Sequence, residues 1–438
     1  MKQGVTGLFA RICSVALITA VISIPFSACS QNKHEIKTNE TKSIQANAPD
    51  EEPKQIKETV DPAKKALSEM TLEEKVGQVF IMSLRYLPDT QAALEVTDTV
   101  KDRIKKNHLG GVILFSENLK TIPQTKKLIT DMQGISKLPM FVAIDEEGGS
   151  TSRLNKNLEL HSTVLPTNRE IGKTGNPELA QKAANVIAEE ISSLGFNMDF
   201  APIADVDSNP KNPIIGIRSF GPDQKLVAEM VKAQVRGMQE TNIITVLKHF
   251  PGHGDTSTDT HMGTAVVQHD KKRLNKVEFV PFIEGIEAGA DGIMTAHIQV
   301  PKITKDNLPA TLSKKILTDI LRNEMGFKGL IITDALEMKA ISNYYPPDEA
   351  AVKAFEAGAD ILLMPYSIEA AYQSLLKAVQ EKRISEERLD ESVLRILDLK
   401  AKKGILEHKK NDSDPEKVLG NPEHRKIAEE IAKAAKGK

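Results

Sequence analysis

A chain of 438 residues, 40% apolar and 27% charged, can bury a large core and has the size of a big α/β barrel. Its formal charge of −2 leaves no basic footprint, so nucleic acid is not expected as a partner. Two cysteines exclude a disulfide scaffold. In chain order, the first segment is unlike the rest. Lys2 and Arg11 precede the uncharged run ICSVALITAVISIPFSA, which ends in small residues before Cys29. This reads as an export signal over residues 1–28. Residues 29–60 are polar and aperiodic, the composition of a disordered tether.

The approach to Cys29 resembles a bacterial lipobox, although Phe26 stands where Leu is usual. The resemblance implies cleavage before Cys29 and a diacylglycerol on its sulfur. The domain would then be anchored by lipid to the extracytoplasmic face of the cell membrane. An uncleaved anchor helix is the alternative.

From residue 71 short β-type runs alternate with longer amphipathic stretches, the signature of βα units on a parallel sheet. The runs are VFIMSL (79–84), GGVILFS (110–116), MFVAID (140–145), MDFAPIAD (198–205), ITVLKHF (244–250), DGIMTAH (291–297), GLIITDA (329–335) and DILLMPY (360–366). Eight runs predict a single (β/α)8 TIM-like barrel domain over 61–410, followed by a helical tail over 411–438. An open doubly wound sheet is the competitor, but no G-x-G-x-x-G follows a strand, which argues against a dinucleotide site. Most runs stay apolar until their ends and then give Asp145, Asp205, Lys248-His249, His297 and Asp334. A single Asp in such a place is commonly a helix cap. Polar ends on five of the eight runs mark the C-terminal mouth of a barrel as an active site.

The densest stretch is KHFPGHGDTSTDTH, Lys248 to His261. It admits two chemistries. As a metal cage, His249, His253, Asp255, Asp259 and His261 would be the ligands, but their spacing is loose and Pro251, Gly252 and Gly254 bend the segment. As a proton-handling loop, Asp259 and His261 would work opposite Asp334 across the mouth. Glycoside hydrolysis needs such a division: one group at the anomeric carbon, and one giving and taking a proton. A rigid strand end suits Asp334 for the first task, and a carboxylate-oriented imidazole suits the second.

Together, KHFPGHGDTSTDTH, GIRSFG, DEEGG and TDALEM resemble glycoside hydrolase family 3, in its bacterial β-N-acetylglucosaminidase branch. The similarity runs from MTLEEKVGQVF (70–80) to ADILLMP (359–365). It implies Asp334 as nucleophile, His261 as acid/base and Asp259 as its partner. It further implies that Asp145, Arg218, Lys248 and His249 bond the hydroxyls of the sugar in the −1 subsite. No metal and no cofactor are implied. The partners implied are a carbohydrate, GlcNAc-terminated muropeptides above all, and the membrane through the lipid on Cys29; a monomer is expected. Another β-glycosidase, a phosphorolytic enzyme, or a non-catalytic sugar-binding lipoprotein are the alternatives.

Other polar residues have structural readings. His253 is expected to hold the loop, and Asp255 to serve as a turn or cap residue. Asp205 would orient Arg218 or a loop amide, Glu146 and Glu147 would support their loop, and His297 would line the pocket or end its strand. Ser150 replaces the Arg that often follows EGG in the family, while Arg153 remains. The closing NPEHRKIAEEIAKAAKGK resembles the helix that leads into a second domain in larger members.

Overall fold

The computed structural model describes residues 61–87, 91–260, 263–407 and 413–437. The export signal, Cys29 and the tether lie outside the described residues, and so does His261.

Eight strands form one parallel sheet: β1 (Phe80–Ser83), β2 (Gly111–Ile113), β3 (Phe141–Ile144), β4 (Met198–Asp199), β5 (Ile244–Phe250), β7 (Gly292–Thr295), β9 (Leu330–Ile332) and β10 (Leu362–Leu363). Each lies inside one of the eight apolar runs. Their order is β10-β1-β2-β3-β4-β5-β7-β9, and the parallel bridge Ile332–Ile361 joins the two ends, closing the barrel. The strand residues are almost all buried, which is why they read as unbroken Val/Ile/Leu/Phe runs instead of alternating ones. Several runs extend past their ladder. The stretch 198–205 gives only two ladder residues, and the remainder forms the loop that carries Asp205. A second, two-stranded parallel sheet, β6 (Ala265–Val266) with β8 (Ile298–Gln299), links the loops after β5 and β7. Its segments are too short for a periodicity signal.

The helices follow local rules. In Pro177–Leu194, the Asn176 side chain caps the first turn, Pro177 opens it, and Gly195 ends it at φ 104°. Its apolar face, including Leu179, Ala183, Val186, Ile191 and Leu194, is buried. It lies against the helix Gln224–Gln239 so closely that a Cβ on Gly237 would sit 2.2 Å from the Gln181 carbonyl.

The tail helix Pro422–Lys436 docks on the helices Asn168–Thr174 and Pro177–Leu194. His424 is buried there between Glu189 (2.9 Å) and Glu190 (3.0 Å). Glu190 also accepts the Thr163 hydroxyl at 2.6 Å and the Gly420 amide at 2.9 Å. At the N-terminal floor of the barrel, fully buried Lys400 donates to Gln78 Oε1 (2.8 Å) and the Gly110 carbonyl (3.1 Å), with its ammonium over the Phe141 ring.

Candidate active site

At the mouth, the residues after β3, β4 and β5 build one ionic cradle. Lys248, on β5 and 2% exposed, reaches Asp145 Oδ1 at 2.7 Å and Glu147 Oε1 at 2.8 Å. Glu147 in turn takes Arg218 in a two-pronged pair, Nε to Oε2 at 2.9 Å and Nη2 to Oε1 at 2.7 Å. Arg153 completes the cradle at 3.2 Å from Asp145 Oδ2. Arg218 stands on the short turn Gly216–Arg218, fixed by Asn168, whose amide donates to the Arg218 carbonyl at 2.9 Å.

The electrostatics follow from burial and pairing. Burial alone would push the Asp145 carboxyl up, yet Lys248 and Arg153 hold it below the usual range. Glu147 is likewise held well below, against burial, by Arg218 and Lys248. Lys248 resists the loss of its proton because Asp145 and Glu147 outweigh its desolvation. Directly beneath, burial pushes Glu146 up to about 7 and Asp199 well above the carboxylate range. Glu146 accepts the amides of Arg153 (2.7 Å) and Leu154 (3.1 Å) and so shapes the loop, as expected of it. The cradle thus presents charged donors and acceptors fixed in place before any ligand arrives, as recognition of a polyhydroxylated ring requires.

Asp205, fully buried after β4, secures the other side. Its Oδ2 faces His249 Nδ1 at 2.8 Å and accepts the His249 amide at 3.2 Å, and its Oδ1 accepts the His253 amide at 2.6 Å. A carboxylate against Nδ1 places a ring proton on that nitrogen and fixes the orientation of the ring. Asp205 therefore orients His249 and the loop amides, while Arg218 is held by Glu147.

The loop after β5 bends at Gly252 (φ 120°) and presses against the β4 loop, where a Cβ on Gly254 would lie 1.8 Å from the Val206 carbonyl. His253 spends its ring within the loop, Nδ1 on Thr256 at 2.8 Å and Nε2 on Thr260 at 3.3 Å. Burial first and neighbouring His249 next hold His253 below the usual imidazole range, against the pull of Asp205 and Asp334. Asp255 does more than cap a turn: it accepts from Ser208 at 3.0 Å and lies 2.7 Å from His269 Nε2. Asp259 is partly exposed near the tip. The Thr260 carbonyl accepts the Ala340 amide at 3.2 Å, so the loop reaches past β7 to the segment that follows Asp334. Among the described residues no group of three or more His, Cys, Asp or Glu has the arrangement of a metal site.

Asp334 follows β9, partly exposed, with Oδ1 accepting the Ala335 amide at 2.7 Å. Its segment is stitched to the end of β10 through Leu336 to Leu363 (2.9 Å) and Glu337 to Met364 (3.0 Å). Buried His297 adds a strut, Nε2 to the Ala335 carbonyl at 2.9 Å and Nδ1 to Thr311 at 2.8 Å. It supports the turn that displays Asp334.

A carboxylate on a rigid strand end, sharing the mouth of a closed parallel barrel with a charged cradle, is the setting of a glycoside-cleaving site. The family model "Glycosyl hydrolase family 3 N terminal domain" matches residues 71–399. The chain belongs to glycosyl hydrolase family 3. It is a glycoside hydrolase of the β-N-acetylhexosaminidase type. Beta-hexosaminidase A of Pseudoalteromonas piscicida is 36% identical over 403 residues, covering 84% of this chain and 67% of that protein. A beta-hexosaminidase of Nitrosomonas eutropha is 35% identical, covering 68% of this chain and 87% of that one. Among solved structures, a family 3 β-N-acetylglucosaminidase from Paenibacillus sp. superposes with a TM-score of 0.78 at 40% identity, over 84% of this chain and 69% of that one.

Of the residues singled out in the sequence, Asp145, Arg218 and Lys248 come together in one cradle through Glu147, His249 pairs with Asp205 on the other side, and Asp334 has its own perch. The sequence marks Glu147 only as a loop support, yet it is the carboxylate that pairs with both Lys248 and Arg218. A buried lysine at a strand end demands such a partner, and the acidic run DEE after β3 was the available signal.

Proposed function

We propose that this enzyme is a retaining, exo-acting β-N-acetylglucosaminidase that removes terminal non-reducing β-linked GlcNAc, from muropeptides and related peptidoglycan fragments. The observation that carries the reading is Asp334, displayed on a braced strand end at the same barrel mouth as the Asp145–Lys248–Glu147–Arg218 cradle. With the cradle holding the sugar hydroxyls, the Asp334 carboxylate attacks C1 as the bond from C1 to the leaving oxygen breaks. Protonated His261 gives its proton to that oxygen. The imidazole then takes a proton from water, whose oxygen attacks C1 and frees Asp334 with the β configuration retained. Asp259 keeps the His261 ring in the right tautomer and steadies its charged form.

The relatives named as beta-hexosaminidases support the choice of sugar. We further propose a lipid on Cys29 that anchors the monomeric enzyme outside the cytoplasmic membrane, and chemistry that needs no metal. Two or more acyl chains suffice for stable anchoring, where one binds reversibly.

A panel of p-nitrophenyl glycosides tests the reading most directly. GlcNAc is expected to be the preferred glycone, with the first product formed as the β anomer by NMR and activity unchanged by EDTA. Equal or better turnover of glucosides would overturn the sugar assignment, and an α-anomeric first product the mechanism. Partition into the membrane fraction, lost on Cys29→Ala, tests the anchor.

A further inference from the structure

The cradle does not end at Asp145. Arg153, paired with Asp145, lies over the Phe115 ring at 5.2 Å. The other guanidinium on that ring is Arg85, at 5.0 Å, and Arg85 also lies 5.1 Å from the Tyr86 ring. Glu117 fixes Arg85 by hydrogen bonds from Nε (2.9 Å) and Nη2 (2.6 Å). Asn118 ties the loop after β1 to the loop after β2, donating to the carbonyls of Leu84 (2.8 Å) and Ala93 (3.0 Å). A continuous, braced ladder of alternating guanidinium and ring thus runs outward from the sugar cradle and ends on Tyr86.

The second observation is where exposed rings stand. The chain is poor in aromatics, at 4%, and has no Trp. Among the described residues the strongly exposed aromatic side chains are Tyr86 (59%), Tyr344 (61%) and Tyr366 (74%). All three follow β1, β9 and β10, three consecutive strands around the barrel, at the end that carries Asp334. Tyr86 and Tyr366 each lie three residues past their strand, and β1 pairs with β10 through Phe80–Leu362 and Ile81–Leu363, so their loops leave the barrel side by side. Leaving such rings in water has a hydrophobic cost that a bound partner would relieve.

We propose that Arg85, Tyr86 and Tyr366 form the subsite for the leaving group, a second sugar ring whose apolar face stacks on the tyrosines while its hydroxyls meet Arg85. The assignment rests on the glycosidase reading above and extends it to the other side of the scissile bond. Pyranose rings present flat C–H faces, and aromatic rings with a polar tip suit a partner that is half apolar and half wet. Continuity with the cradle sets the occupant: a ring held on this ladder lies next to the sugar held at Asp145.

The test compares a disaccharide with the same glycone carrying an azide, a leaving group with no ring to stack. Tyr86→Ala and Tyr366→Ala are expected each to lower the ratio of kcat/KM on chitobiose to kcat/KM on the GlcNAc azide by roughly three- to tenfold. Tyr366→Phe, which keeps the ring, should restore the ratio. An unchanged ratio in both alanine variants would overturn the subsite, and so would an equal loss with Phe and with Ala. If the wild-type enzyme prefers glucosides, the sugar assignment fails on the wild type alone. The ratio is then read on cellobiose and glucosyl azide, and the subsite still stands or falls by it.

Discussion

Two fully enclosed lysines stand at opposite ends of the barrel. Lys248 at the mouth has two carboxylates within 2.8 Å and keeps its proton more firmly than a lysine in water. Among the described residues Lys400 at the floor has only a side-chain amide oxygen, a carbonyl and the face of Phe141, and burial pushes it down to about 7. The same residue type, buried at both ends, is thus shifted in opposite directions, because a buried charge is held firmly only where a counter-charge is built beside it. The mouth has that counter-charge in Asp145 and Glu147. The floor has only to close the barrel.

Substitutions at the mouth should therefore alter kinetics, and at the floor only stability. The largest effect is expected for Asp334→Ala, which should lower turnover of every substrate by about 10⁴-fold or more. Its urea midpoint should stay close to wild type, since the hydrogen bond that Asp334 makes among the described residues is to its neighbouring amide. Next comes Glu147→Gln, which leaves Lys248 and Arg218 to share Asp145. A loss of about 3 kcal/mol in unfolding free energy is expected, together with a raised KM, by denaturant titration and steady-state kinetics. A change in KM with no change in stability would mean that the cradle is not held together as described.

His261→Ala separates attack from proton transfer. It should retain far more activity on dinitrophenyl GlcNAc than on a natural disaccharide, because general acid help is worth about 10²–10⁴-fold. Asp259→Ala should show the same pattern more mildly. Equal losses on both leaving groups would remove His261 from the acid role.

The smallest effect belongs to Lys400 and appears only as a slope. The unfolded chain holds that proton to about pH 10.4. The folded chain releases it near 7, so between these values unfolding takes up a proton and stability rises with pH. Lys400→Met should remove up to about 1.4 kcal/mol per pH unit from that rise, whatever it does to the absolute value. Parallel pH profiles of variant and wild type from pH 7 to 9 would show that Lys400 stays charged at the floor.

The contrast between mouth and floor also explains what could be read beforehand. Strands buried on both faces leave uninterrupted apolar runs, so all eight were legible, and so were the polar residues ending them. Asp145, Arg218, Lys248 and His249 could be named from their motifs. The identity of each one's partner could not, because Glu147–Arg218 and Asp205–His249 join positions 71 and 44 residues apart. The floor left no mark at all: Gln78, Gly110 and Lys400 are scattered along the chain, and a lysine near the end of an amphipathic helix looks like a surface residue. The β6–β8 pair leaves no sequence signal because two residues per strand carry no period.

Glu190 gives the tail helix a meaning beyond its own packing. One carboxylate collects the Gly420 amide and His424 from the tail, and Thr163 from the very loop that begins at Asp145. For anyone shortening this enzyme or fusing it to another, the boundary is set by that carboxylate and not by the last barrel helix. A cut before residue 413 would strip Glu190 of two of its donors and loosen the far anchor of the loop that begins at Asp145, whereas a fusion appended after residue 437 would leave it intact.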